Sequence, residues 1–432
     1  MIQFKLISLL LSFAFLFNFL LIKKVSNSAL HPSGLFSLFW FICILIPELV
    51  VWGYETNIFS TLYIYLSSLM VLIPAIIIKN RTIKIMPFRI YSIKRLKLLF
   101  SLISLISILT TIEMLLQNGF NMGEIFLNPF IVSGQYANFR SSGNYEYGLI
   151  GVINISTTYT SAALGGIIAQ SIINFRIKFF FCLLSFIPTL FLMFLQSQKL
   201  ILLIGLGYFL GGLFLSALLY GKNFNLQSLI SPIKSFFLFS PLIFFSFLSR
   251  SHYDGIHISD IELYSLLYKD LINYLFSEIF AFSDFFTCYT GFKCTIQYDF
   301  VGTIPGQFTF YSIFSALNLV EESGSILYSQ IYQLGTLTPA MQFTIFRWII
   351  QDFGLIGGLV FFLLIGFLFA INFKFINRYK NGPISHVIYI SILPFIIFSY
   401  VLTIFMARFP LLVALLLFFL LRISILKNES NA

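Results

Sequence analysis

The feature that most constrains this chain is a series of long apolar runs that recur along almost its whole length. One of them, 200–219, contains no charged residue and no alternation of apolar with polar residues. About 20 apolar residues are needed for a helix to cross the hydrocarbon core of a bilayer. Helices are the default spanning element because backbone polar groups in lipid must be paired within the segment, whereas barrel strands would alternate. The sequence therefore predicts an all-α, polytopic transmembrane helix bundle.

The composition agrees with this prediction. Hydrophobic residues make up 59% of the 432 positions, charged residues make up 10%, and the mean hydropathy is +0.94. A soluble domain carries roughly 25% charged residues, so this chain has too few to cover a water-facing surface. We expect a single integral membrane domain over 1–432 and no separate soluble domain.

Charges and turn residues bound about eleven candidate spans, with a range of ten to twelve. The predicted spans are 4–22, 35–53, 58–78, 98–117, 148–172, 179–195, 200–220, 235–248, 353–373, 386–406 and 409–426.

The basic residues indicate which side of the membrane each connection faces. The segment 79–97 carries seven lysines and arginines and no acid, and such segments stay cytoplasmic. Alternation from there places Arg422 and Lys427 on the same side. The net charge of +10 is then a topology signal, so no nucleic-acid partner is expected. His31 and His386 also fall on this side, where we expect them to be surface residues.

Two long segments fall on the external side, 118–147 and 249–346. The second is a large loop rich in acidic and aromatic residues. Within it, 271–286 is predicted to lie as an amphipathic helix on the membrane surface, with its rings as interface anchors or, alternatively, for stacking on sugars. Cys288 and Cys294 lie six positions apart in this loop. They would form a disulfide if the loop faces an oxidising compartment, and the sequence leaves this open.

No metal or cofactor is predicted, since the sequence has no phosphate-binding loop, no HExxH motif and no zinc-spaced cysteine and histidine cluster. His252, His257 and Asp254, at the start of the large loop, or another acid of that loop, are candidates for a general base. The alternative for each histidine is an ordinary solvated loop residue.

Four external cations lie close to predicted membrane ends, namely Arg140, Lys199, Arg250 and Arg347. Cations at the outer rim are suited to hold a phosphate or diphosphate head group. The alternative for each one alone is an interfacial anchor or an ordinary ion pair.

The strongest local pattern is TPAMQFTIFRWIIQDFGLIGG at 338–358, which leads from the large loop into a span. Charged residues at a span entrance are costly unless they are partnered or functional. Arg347 and Asp352 are five positions apart, which is too far for an ideal i,i+4 pair. We therefore expect them to have separate partners.

These residues resemble a known family. QFTIFRWIIQDFGLIGG at 342–358 resembles the segment after the large external loop in oligosaccharide repeat-unit polymerases, the O-antigen polymerase (Wzy) family. FAFSDFF at 280–286 and VGTIPGQFTFYSIF at 301–314 are similar to elements of that loop. NFRSS at 138–142 resembles the arginine-bearing first external loop, and QSQKLILL at 196–203 resembles a short Ser-Arg hairpin.

The resemblance implies a glycosyltransferase of the bacterial cytoplasmic (inner) membrane that works on its periplasmic face. Such enzymes polymerise undecaprenyl-diphosphate-linked oligosaccharide repeat units into O antigen or capsular polysaccharide. The donor is already activated, so the site needs cations for the diphosphate, a base and correct positioning. Asp352 would then be a supporting residue that orients Arg347 or the helix entrance. Lys199 stands where arginine is commoner, and it lacks the planar fork of arginine.

The expected partners are the lipid-linked oligosaccharides, the lipid bilayer and a chain-length regulator. Two other functions remain open at this stage. An O-antigen ligase would share the architecture and the donor, and a lipid-linked oligosaccharide flippase or other transporter would share the many spans. A transporter, however, would be expected to have short loops and an internal repeat, and neither is seen in the sequence.

Overall fold

A computed structural model gives the architecture of the chain. It describes residues 2–51, 56–78, 91–141, 148–196, 199–220, 261–291, 304–319, 332–333, 339–340, 343–379, 382–404, 407 and 409–426, together with 230, 234, 238 and 241.

Fourteen helices and one pair of very short strands make up the described regular structure. The first nine helices are α1 (Ile2–Ser26), α2 (Pro32–Val50), α3 (Ile58–Ile77), α4 (Ile93–Gln117), α5 (Met122–Leu127), α6 (Pro129–Ser141), α7 (Leu149–Ser171), α8 (Phe175–Gln196) and α9 (Lys199–Leu219). They are followed by α10 (Ile261–Tyr289), α11 (Tyr311–Ala316), β1 (Tyr332–Gln333), β2 (Pro339–Ala340), α12 (Ile345–Tyr379), α13 (Pro383–Phe398) and α14 (Phe409–Ser424). The two strands are antiparallel, with Tyr332 opposite Ala340.

The prediction of an all-α, multi-pass membrane protein is confirmed. Eight of the described helices are long and apolar enough to cross a membrane, and α13 and α14 are shorter apolar helices. Most of the predicted span at 235–248 lies outside the described residues. The predicted span at 386–406 is too long, because α13 ends at Phe398. The chain turns there, and the Ser399 carbonyl accepts a hydrogen bond from the amide of Ile345, 2.9 Å away.

The chain divides into two compact units. Unit 1 comprises Met1–Ile83, Tyr268–Asn377 and Phe395–Arg408. Unit 2 comprises Lys84–Leu267, Arg378–Pro394 and Phe409–Ala432.

Helix α7 is the most buried helix of unit 2, and glycines let α9 approach it closely. A Cβ atom at Gly166 would lie 2.0 Å from the carbonyl oxygen of Phe209, and one at Gly212 would lie 2.1 Å from that of Ala163. Such a contact is possible only where neither glycine carries a side chain. The two helix backbones are therefore in direct contact.

On another face of α7, hydrogen bonds between hydroxyl groups join it to α4. Ser107 and Thr158 share a hydrogen bond of 2.5 Å, and Ser104 and Ser161 share one of 2.6 Å. Serine and threonine pairs of this kind link helices in lipid, where no hydrophobic driving force acts between them.

The basic start of α4 and the end of α14 lie together in unit 2. The amide of Ser92 donates to the carbonyl of Ser424 at 2.9 Å, and Arg95 donates to the carbonyl of Ile423 at 3.2 Å. Lys94, Arg95 and Arg422 are exposed at this end. Both segments had been assigned to the cytoplasmic side from their charges, and the structure brings them to the same end of this unit.

The prediction that His31 and His386 are surface residues is wrong, since their side chains are 1% and 0% exposed. Nδ1 of His31 accepts a hydrogen bond from the amide of Ser33 at 3.2 Å and so caps the start of α2. Burial lowers the pKa of His31 to about 3. His386 is hydrogen-bonded to the hydroxyl of Tyr91. In its buried position, each histidine therefore makes a hydrogen bond through Nδ1, as buried polar groups generally do.

Candidate functional site

Helix α12 is broken near its start, at Gly354. This residue has φ 71° and ψ −179°, a conformation essentially restricted to glycine. A straight helix of 35 residues would be roughly 50 Å long, well beyond the thickness of a bilayer. The break separates a short segment, 345–353, from a spanning segment that begins at Leu355. It falls within one residue of the predicted start of the span, at 353.

Tyr63 of α3 packs against the helix just after the break. Its hydroxyl donates to the carbonyl of Leu355 at 3.0 Å. A Cβ atom at Gly358 would lie 2.3 Å from the same hydroxyl, so glycine is required there for Tyr63 to reach this position. Two of the three glycines in DFGLIGG, Gly354 and Gly358, are therefore needed for the structure at the break.

Arg347 lies in the short segment before the break and is only 3% exposed. Its guanidinium carbon lies 3.8 Å from the ring centre of Phe343, 4.8 Å from that of Trp348 and 5.2 Å from that of Phe285. Aromatic faces attract the guanidinium cation and hold its plane in a fixed direction. The result is a buried, oriented arginine.

The position of Arg347 is set by contacts on either side of it along the chain. The Ile345 amide bonds to the carbonyl of Ser399, as described above. The next ring, Phe346, lies 4.8 Å from Trp40 of α2 and 5.7 Å from Phe282 of α10. The start of α12 is therefore anchored to three other parts of unit 1.

Asp352 lies five residues further on and is 8% exposed. Its two carboxylate oxygens accept hydrogen bonds from the amides of Phe308, at 3.1 Å, and Thr309, at 2.6 Å. The ring of Phe308 also packs against Trp348, at 5.4 Å. Asp352 therefore holds the segment before α11 against the short segment of α12. The positions of its partners fit the expectation that Arg347 and Asp352 are not paired with each other.

Three elements that are far apart in the sequence meet at this place in unit 1. They are the aromatic stretch of α10 at 280–286, the segment 304–314 and the start of α12. One residue from each element takes part: Phe285 from α10, Phe308 from the segment 304–314 and Arg347 from α12. The contacts described above join these three residues around Trp348. We call this group of residues the Arg347 site.

The stretch 271–286 is helical as predicted, and Leu271 and Leu275 are exposed, but its second part, 277–286, is packed in the interior and does not lie on a surface. Glu278, Phe280 and Phe282 are 3%, 2% and 0% exposed. Helix α10 is also tied to the start of α3: the amide of Asn57 donates to Ser283 at 2.6 Å, and its side-chain amide donates to Thr287 at 2.9 Å. Apolar residues occur on every side of this stretch, so packing inside unit 1 buries more of them than a surface position would.

Cys288, near the end of α10, is disulfide-bonded, whereas Cys43 and Cys182 are free thiols. Cys294, the partner proposed for Cys288, lies outside the described residues. Disulfides persist in oxidising compartments.

The other predicted site residues are described only in part. Arg140 lies in α6 and Lys199 begins α9, both in unit 2, and their side chains lie outside the described residues. Arg250, His252, Asp254 and His257 lie wholly outside the described residues. Their proposed roles therefore remain predictions.

Glu278 was not among the named candidates predicted from the sequence, and it is among the most buried charged residues in the described part of the chain. It lies within the apolar run LFSEIFAF of α10, and burial raises its pKa well above the ordinary range of a carboxyl. An isolated acid inside an otherwise apolar helical run is the signal that could have identified it.

Within the described residues, no group of three or more histidine, cysteine, aspartate or glutamate side chains is placed to hold a metal ion. No protein-family model, curated protein or solved structure matches this chain. What the residues define is a multi-pass helical membrane protein with a buried cationic, aromatic site.

Proposed function

We propose that this protein is a membrane glycosyltransferase that polymerises undecaprenyl-diphosphate-linked oligosaccharide repeat units into O antigen or capsular polysaccharide. The proposal places it in the bacterial inner membrane, with the reaction on the periplasmic face. The donor sugar is transferred from its diphosphate carrier to a hydroxyl of a second lipid-linked unit.

The observation that carries the proposal is the buried guanidinium of Arg347. A diphosphate leaving group develops negative charge as the glycosidic bond breaks, and a cation fixed in advance in a water-poor site stabilises that charge strongly. The rings of Phe343, Trp348 and Phe285 fix the orientation of the guanidinium, and its planar fork matches the geometry of a phosphate group.

The architecture around Arg347 is compatible with a lipid-linked substrate. The site is built at the broken start of a helix that is otherwise apolar enough to span a membrane. Irregular backbone at such a place is tolerated where it is buried in protein or lines a cavity. The disulfide at Cys288 supports an oxidising environment for the end of α10, which carries Phe285.

Deletion of the gene, followed by gel analysis of the surface polysaccharide, tests the proposal. Loss of a polymerase leaves core carrying a single repeat unit, whereas loss of a ligase or flippase leaves bare core. Bare core would replace the proposed function by one of those two, and unchanged long chains would exclude all three.

Complementation of the deletion then tests the role of Arg347. Arg347→Ala is expected to abolish chain extension, and Arg347→Lys to restore it only in part, because lysine keeps the charge without the planar fork. The matched control is Arg176→Ala, which removes an exposed arginine at the start of α8 and should give a wild-type ladder. A wild-type ladder from Arg347→Ala, at a normal level of membrane protein, would remove the basis of the proposal.

A further inference from the structure

Glu278 lies in a group of polar side chains in unit 1, close to the Arg347 site, in which Glu278 and Trp40 are buried and Cys43 and Tyr400 are half-buried. The hydroxyl of Tyr400 donates to the carbonyl of Leu275 at 3.0 Å, which fixes Tyr400 against α10 one turn before Glu278. The ring of Tyr400 lies 6.1 Å from that of Trp40 on α2. Cys43 lies one turn after Trp40 on the same helix. We call Glu278, Trp40, Cys43 and Tyr400 the Glu278 cluster.

Electrostatic interactions link Glu278 to two members of this cluster, Cys43 and Tyr400. Burial, and then the neighbouring Glu278 and Cys43, raise the pKa of Tyr400 well above its ordinary range. Cys43 and Tyr400 are the titratable side chains in the described part of the chain that interact with Glu278 in this way. Neither is a cation, so nothing in the cluster offsets the cost of ionising the carboxyl.

Two polar atoms of the cluster are buried without a hydrogen-bond partner among the described residues. One is Oε2 of Glu278, an acceptor, and the other is Nε1 of Trp40, a donor. Their side chains are 3% and 0% exposed. A hydroxyl group can satisfy an orphaned acceptor or an orphaned donor, because it donates one hydrogen bond and accepts others. Hydroxyls are also the reacting groups of a sugar acceptor.

The distance between Glu278 and the Arg347 site suits a glycosyl-transfer reaction. Glu278 and Phe285 are seven residues apart on α10, so they lie on the same face of the helix and roughly 10 Å apart along its axis. Phe285 is one of the rings that hold Arg347. A sugar whose diphosphate is bound at Arg347 would extend along this face toward Glu278.

We infer that Glu278 is the base that accepts the proton of the acceptor hydroxyl, and that Trp40 is a positioning residue that donates a hydrogen bond to the same oxygen. This inference rests on the proposed function. The hydroxyl proton moves to the Glu278 carboxylate while the hydroxyl oxygen forms a bond to the anomeric carbon of the donor. The bond from that carbon to the diphosphate oxygen breaks, and the diphosphate leaves with the electron pair.

Burial makes Glu278 suited to this role. A carboxylate with a raised pKa is a stronger base than an exposed one. The rate of chain extension should therefore fall on the acid side, at a higher pH than an exposed carboxyl would give.

The test uses purified full-length protein in detergent or vesicles, with the lipid-linked repeat unit as both donor and acceptor. Glu278→Gln, which keeps the shape of the side chain, should lower kcat by roughly 100-fold or more with little change in KM, and the acid limb of the pH profile should disappear. Trp40→Phe should raise the KM for the lipid-linked repeat unit by about tenfold and leave the pH profile unchanged. The matched control is Glu113→Gln, since Glu113 is exposed on α4 and bonded to Gln117.

The outcomes separate this inference from the proposed function. If Arg347→Ala is inactive while Glu278→Gln keeps the wild-type rate and pH profile, the inference is overturned and the proposed function stands. If the wild-type protein does not extend chains, both are overturned. Should Glu278→Gln fail to accumulate, Glu278→Asp takes its place: its shorter side chain should lower kcat and move the acid limb, and unchanged kinetics would contradict the inference.

Discussion

The contacts of α7 in unit 2 differ in kind from those of the Arg347 site and the Glu278 cluster in unit 1. Helix α7 meets α9 and α4 through glycines and hydroxyl side chains, as at Gly166, Gly212 and Thr158. The Arg347 site and the Glu278 cluster are built from large rings and buried ionisable groups.

This difference shows that a buried polar group can have one of two roles, either joining helices or forming a functional site. Hydroxyl pairs of the kind found between α4 and α7 join regular helices at little cost, because each partner satisfies the other. Burial of a guanidinium or carboxyl group costs much more free energy, so such a group is usually paired or functional. We therefore expect substitutions in unit 2 to act on stability, and those in unit 1 to act on function first.

The largest effect on stability is expected in unit 2. Gly212→Ala places a methyl group 2.1 Å from the carbonyl oxygen of Ala163, so the helices must separate. The cost should be about 3 kcal/mol or more, seen as loss of folded protein in the membrane and a lower melting temperature in detergent. Gly148→Ala is the control, since a Cβ atom there has nothing within 4 Å. Equal melting temperatures for the two variants would contradict the close approach of α7 and α9.

The next effect concerns Asp352 in unit 1. Asp352→Ala leaves the buried amides of Phe308 and Thr309 without their acceptor, at a cost of about 3 kcal/mol in the local stability of the segment before α11. Hydrogen exchange at these two amides should become faster, and chain extension should fall. Asp352→Asn, which keeps one acceptor oxygen, should have a smaller effect. Slow exchange in the alanine variant would show that Asp352 does not hold this segment.

A smaller loss of stability is expected for a substitution at the helix break. Gly354→Ala forces a side chain into a backbone conformation that only glycine adopts easily, for about 2 kcal/mol of strain. If the break positions the Arg347 site, chain extension should decrease much more than the melting temperature does. Ile356→Ala, at an 80% exposed position two residues later, is the control. A parallel loss of stability and activity would assign Gly354 a purely structural role.

The smallest effect is expected at the hydroxyl pairs of unit 2. Thr158→Val removes the hydrogen bond to Ser107 and keeps the shape of the side chain, for about 0.6 kcal/mol. The melting temperature should fall slightly while chain extension stays at the wild-type level. A large loss of activity with a normal melting temperature would place a functional group in unit 2 and weaken the distinction between the units.

Part of the candidate site could be predicted from the sequence. Arg347 and Asp352 stood out because charged residues at the entrance of an apolar span are rare. The separate partners expected for them followed from their spacing, and the structure gives Asp352 two backbone amides. Glu278 was not singled out, because its neighbours on α2 and after α13 are distant in the sequence and no local pattern joins them.

The sequence by itself determined the class of fold, since apolar runs of this length can satisfy their backbone only as helices in a membrane. It also marked Gly354 as part of a distinctive segment, although not as a helix break. The tertiary structure alone decided which groups are buried together. His31 and His386 are buried against expectation, and 277–286 packs inside unit 1 instead of on a surface. The physical reason is that burial depends on contacts between segments far apart in the chain. Hydrophobic periodicity shows only which face of a single helix is apolar.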